Sequence, residues 1–112
     1  MVTNDVKGEW YAGRPFTIRG RLVRTGGKLI LDENSVRFMP LYGLGLRRRY
    51  GLEDIVAVEP VQNVPPKLQL RLRDGSSAVF AVFVERSSPV WSDDASARDE
   101  AVAAISALVE NR

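Results

Sequence analysis

KLQLRLRDGSSAVFAVFV, residues 67–84, decides the fold class. Leu68, Leu70 and Leu72 alternate with Lys67, Gln69, Arg71 and Arg73, the period of two that belongs to a half-buried β-strand. Asp74-Gly75 supplies a tight turn. The chain then returns with Phe80, Val82 and Val84 on one face and Val79, Ala81 and Phe83 on the other. The stretch reads as an antiparallel hairpin whose second strand is apolar on both sides, and such a strand is normally covered on both. The cover is either the domain's own helix or N-terminal segment, or a partner chain. With Phe80, Val82 and Val84 assigned to the core, Val79, Ala81 and Phe83 become interface candidates rimmed by Gln69, Arg71 and Arg73. That second alternative predicts a homodimer.

Outward from the hairpin the same period recurs. Upstream, PFTIRGRLV (residues 15–23), KLILD (28–32), VRFMP (36–40), the arginine stretch LRRRY (46–50) and DIVAVEP (54–60) read as short strands. Turn signals divide them: Gly26-Gly27 as a tight hairpin, DENS at 32–35, and Pro60 closing the fifth strand. Residues 1–13 are polar and read as a loosely held segment before a single domain at 14–112. Downstream the period changes. From Asp94 to Glu110, Val102, Ile105, Leu108 and Val109 recur at three- and four-residue intervals, as in a helix with one buried stripe. Ser92, Asp93 and Asp94 are its candidate caps. About seven antiparallel strands followed by one helix predict a mainly β fold, a bent sheet or partly open barrel capped by the C-terminal helix.

Composition narrows the chemistry. The 112 residues suit one domain. With no cysteine and no histidine, disulfides, thiolate metal sites and the commonest general base are all absent. Glu53-Asp54 and Asp93-Asp94 read as turn and cap residues, and YGLGL (42–46) lacks the lysine and following helix of a phosphate-binding loop. The expectation is a non-enzyme without cofactor or metal. MVTNDVKGEW has no signal-peptide order and no long uncharged apolar run follows. A cytoplasmic domain, at most peripheral at the inner membrane face, is expected.

The net charge of +2 hides a gradient: residues 1–50 carry ten Lys/Arg against four Asp/Glu, and residues 51–112 carry six against ten. The gradient is too modest to indicate nucleic-acid binding, but a local basic surface attracts anions even on a nearly neutral protein. Strand geometry sends Arg47 and Arg49 outward if Leu46 and Tyr50 face the core. Arg48 must then leave through the barrel mouth or meet a carboxylate, because burying it alone is costly. The same phase makes Arg19, Arg21, Lys28, Arg37, Arg47 and Arg49 one outward basic field. Such a field serves either solubility and edge protection or anion binding. Tyr42 and Leu44, in the glycine-flanked tip beside these cations, suit the headgroup boundary of a membrane. Otherwise the tip's aliphatics fold back on the core.

The order and spacing of Gly27-Lys-Leu-Ile-Leu31, Val36-Arg-Phe-Met-Pro40, Leu52-Glu-Asp-Ile55 with Val58-Glu59, and Leu70-Arg-Leu-Arg-Asp-Gly75 running into Phe80 resemble a GRAM-type domain of the pleckstrin-homology-like superfold, over roughly residues 14–110. The resemblance implies a non-catalytic binding module. It also implies an anion site around the first hairpin and the third and fourth strands, where the basic field lies. Anionic phospholipid headgroups are the leading expected partner, and a protein partner or self-association is the alternative.

Overall fold

A computed structural model of the chain describes residues 6–18, 21–40, 47–61, 66–84 and 94–111, with side chains at 14–18 and 21–25 left aside. Seven strands, β1 (Val6–Ile18), β2 (Arg21–Asp32), β3 (Ser35–Pro40), β4 (Arg48–Gly51), β5 (Ile55–Val61), β6 (Lys67–Leu72) and β7 (Ser77–Phe83), precede one helix, α1 (Ser96–Glu110). All strand pairs are antiparallel, in the order β4-β3-β2-β1-β7-β6-β5. Two meanders, β1–β4 and β5–β7, meet where Tyr11–Gly13 of β1 pair with Phe83–Ala81 of β7. The sheet is bent and does not close, and β4 and β5 are its edges.

The inside of the bend holds the core. Leu29, Leu31, Val36 and Phe38 come from the first meander, and Leu68, Leu70, Phe80 and Val82 from the second. Phe38 and Phe80 join the two, with ring centroids 5.4 Å apart, and Tyr50 meets Phe80 edge-on at 6.0 Å. Helix α1 lays Ala101 and Ile105 into this core, packing mainly on β5 and also on β1, β6 and β7. Burial of a side chain such as Ile105 is worth roughly 1.5–3 kcal/mol. A short 3-10 turn at Leu52–Asp54 ties the two meanders at one corner. Leu52 N donates to Asn34 O at 2.9 Å, and the Arg73 guanidinium donates to Glu53 O through Nε and Nη2 at 3.1 and 2.9 Å.

Several expected boundaries move. Residues 6–13 are not a loose leader: they are the first half of β1, with Trp10 and Ala12 in the core. Their alternation was masked by Gly8 and Gly13, which contribute no side chain to either face. Gly26-Gly27 is not a turn but lies within β2, paired to Gly13 and Ala12 of β1. A Cβ on Gly27 would run into the Met39 carbonyl and the Pro40 Cα, so the glycine answers a close backbone approach. Pro60 sits inside β5 rather than ending it, as proline can on an edge strand. Val84, expected in the core, is 44% exposed, because β7 ends at Phe83 and the alternation ends with it. The helix begins at Ser96, two residues later than expected. Asp94 accepts bonds from the Ser96 N–H and hydroxyl at 3.0 and 2.7 Å, and Ser92 and Asp93 lie outside the described residues.

Candidate anion-binding edge

Strand β4 is four residues long and sits at the edge of the sheet, in register with β3: Val36 faces Tyr50, Arg37 faces Arg49, and Phe38 faces Arg48. Val36, Phe38 and Tyr50 point to the core, so Arg37 and Arg49 share the outer face. Arg47, Arg48 and Arg49 are all exposed, and among the described residues no ion pair engages them. Arg48 shares the face of Phe38 and Tyr50 yet is exposed, with no carboxylate partner among the described residues.

The other cations of the expected field differ. Lys28 Nζ lies 2.9 Å from a Glu9 carboxylate oxygen and 5.7 Å from the Tyr11 ring centroid, so its charge is answered within the sheet. Arg37 Nε lies 3.5 Å from Asp32 Oδ2. Arg21 belongs to β2 with its side chain left aside, and Arg19, Tyr42 and Leu44 lie outside the described residues. The structure thus brings together Arg37, Arg47, Arg48 and Arg49.

Asp32 was legible only as a turn residue. Its carboxylate is 2% exposed and accepts from Asn34 N at 2.8 Å, Ser35 N at 2.8 Å and Ser35 Oγ at 3.2 Å on Oδ1 and 3.1 Å on Oδ2. It therefore builds the β2–β3 turn and sits beneath Arg37. Arg98 also escaped the sequence reading. It is 5% exposed on α1, donates to Val61 O at 3.0 Å and Lys67 O at 3.5 Å, and meets Asp99 Oδ1 at 2.7 Å. Its position seven residues before Ile105 put it on the apolar stripe, which was the available signal.

On the outer face of β7 the interface candidates are largely covered. Ala81 is fully buried, and Val79 and Phe83 are half-buried. Ala81 is in register with Gly13 of β1 and Lys67 of β6. Ala81 is therefore not an interface residue. Among the described residues, turn bonds at the surface shift the carboxyl groups of Asp74 and Asp94. The Ser76 hydroxyl and N–H hold Asp74 below the ordinary carboxylate value, and the Ser96 N–H and hydroxyl do the same for Asp94.

Among the described residues no cluster of acidic groups could hold a metal ion, and no helix is long and apolar enough to cross a membrane. No protein-family model matches the chain, and no curated protein does. Solved structures do share its architecture. It is similar to the C-terminal domain of an unknown protein from Leishmania infantum, with a TM-score of 0.67 at 9% identity, over 96% of this chain and 85% of that one. At that identity the likeness concerns the fold alone.

Proposed function

We propose that this chain is a non-catalytic binding module of the GRAM/pleckstrin-homology-like type that recognises anionic phospholipid headgroups at its β3–β4 edge. The observation that carries this reading is the exposed arginine run on β4, with Arg37 directly across from Arg49. Like charges placed opposite each other in a sheet repel, and a bridging anion relieves the repulsion. The contact set is narrower than the sequence suggested, because Lys28 is held by Glu9 and Tyr11. Arginine suits the task, since its planar fork matches phosphate oxygens two at a time.

Cosedimentation with vesicles tests this reading. The protein is expected to pellet with phosphatidylcholine vesicles containing an anionic lipid and not with phosphatidylcholine alone. Reversal of charge in Arg47→Glu/Arg49→Glu is expected to abolish pelleting while thermal unfolding stays unchanged. A wild-type protein that ignores anionic vesicles at low salt rules the reading out. Self-association through β7 has less support, since Ala81 is buried and Phe83 half-buried within one chain.

A further inference from the structure

We propose that Arg37 and Arg49 form a cross-strand clamp for a single phosphate-type oxyanion, and that the buried Asp32 is the positioning residue that sets Arg37 for it. The inference rests on the reading of the β3–β4 edge as an anion site and names the unit within it that holds the charge. Direct register on the outer face places the two α-carbons within about 5.5 Å. Two guanidinium groups rising from adjacent strands can then converge on one tetrahedral group, each offering paired donors. Arg49 has no carboxylate partner among the described residues.

Arg37 has one, but of an unusual kind. Asp32 is 2% exposed, and both its oxygens already accept hydrogen bonds from Asn34 and Ser35. Arg37 Nε approaches Oδ2 only to 3.5 Å and is buried without a hydrogen bond. The Arg37 side chain is nonetheless 38% exposed, so its accessible part lies away from Nε. Asp32 thus attracts the inner edge of the guanidinium and orients it, while the terminal nitrogens stay available to a ligand. Oδ1 takes both backbone N–H groups of the turn, and the 3.5 Å gap at Oδ2 leaves Arg37 attracted without a hydrogen bond.

This arrangement makes a prediction of unexpected sign. If the edge bound anions through summed charge alone, removing the Asp32 charge would strengthen binding. If Asp32 positions the clamp, removing its charge weakens binding. Asp32→Asn keeps the side-chain oxygen that accepts from Asn34 and Ser35, so the turn can persist. Asp74→Asn is the matched control: it removes the same charge from another serine-bonded turn carboxylate, at the β6–β7 hairpin. Arg37→Lys keeps the charge but loses the fork, and it carries the test if Asp32→Asn fails to fold.

The experiment titrates the full chain with phosphatidylcholine vesicles containing phosphatidic acid, and separately with inorganic phosphate followed by amide chemical shifts. Thermal unfolding of each variant accompanies both. The expected result is that Asp32→Asn and Arg37→Lys each weaken vesicle binding roughly tenfold, as loss of a two-donor contact does, while Asp74→Asn does not weaken it. A folded Asp32→Asn that binds as well as or better than wild type overturns the clamp, and so does a folded Arg37→Lys with wild-type affinity. In either case vesicle binding itself still supports the headgroup reading. Phosphate-induced shifts at Arg37 and Arg49 without vesicle binding leave the clamp standing, identify free phosphate as its source and defeat the headgroup reading. Neither vesicle binding nor phosphate shifts would overturn both.

Discussion

Gly27 and Arg98 show how a single residue can be visible in the sequence and still be misread. Gly26-Gly27 has the composition of a turn, yet what requires glycine at 27 is the Met39 carbonyl and the Pro40 backbone of the neighbouring strand. Gly27→Ala is therefore expected to destabilise by about 1–3 kcal/mol, measured by chemical denaturation, whereas Gly26→Ala meets open space and is expected to cost far less. Arg98 was one charged residue on an otherwise apolar stripe. Only the fold shows that it joins the end of β5 to the start of β6 through Val61 O and Lys67 O. Arg98→Ala leaves those carbonyls without their cationic donor and should cost about 1.5–3 kcal/mol. The acid limb of stability has its own residues. Hydrogen bonds from Ser76 and Ser96 depress the folded-state pKa values of Asp74 and Asp94 below the ordinary carboxylate value. Their contribution is thus fully present above the unfolded-state value and is lost as pH falls through the lower folded one. Asp94→Asn is expected to destabilise at pH 7 and to converge on wild type in strong acid, as thermal melts across that range would record.

At the scale of elements, periodicity was a sound guide where both faces of an element differ and a poor one where they do not. The β6–β7 hairpin and the stripe of α1 were legible because Leu68, Leu70 and Ile105 alternate with polar neighbours at the period of their element. Ile105 is fully buried against the sheet, so Ile105→Asp should lose at least about 3 kcal/mol and fail to show a cooperative melt. Strand β1 was half missed, since Gly8 and Gly13 interrupt the alternation and only pairing to β2 and β7 reveals residues 6–13 as strand. Phe83 marks the limit of the pattern argument. An alternation assigned it to the outer face, but no pattern tells whether the outer face is wet. It pairs in register with Tyr11 and is half-buried within the chain, so Phe83→Lys is expected to lower stability by about 1–2 kcal/mol without changing the mass measured by light scattering.

For the whole molecule, the two halves of the charge gradient coincide with the two meanders. The basic half of the chain, residues 1–50, forms β1–β4 nearly to its end, and the acidic half forms β5–β7 and the helix. A gradient along the chain becomes a charge asymmetry across the sheet, with the arginine edge at one end. Anion binding there should fall steeply between low salt and physiological salt, since exposed charges are screened beyond about 8 Å at 0.15 M. A vesicle titration that is flat in salt would place the contact elsewhere. By itself the sequence determined the element types, the order from the third strand onward, the absence of cysteine and histidine chemistry, and the location of the basic run. These depend on local period and composition, which each stretch carries alone. The expected first strand, 15–23, instead divides between the end of β1 and the start of β2. Tertiary structure decided which of the described cations meet a carboxylate. Lys28 and Glu9 meet across two strands, and so do Arg37 and Arg49. Asp32 comes to lie under Arg37 because the β2–β3 turn folds back. Charge compensation between side chains falls off over a few ångströms of space, whatever their separation along the chain, and only the folded register sets those distances.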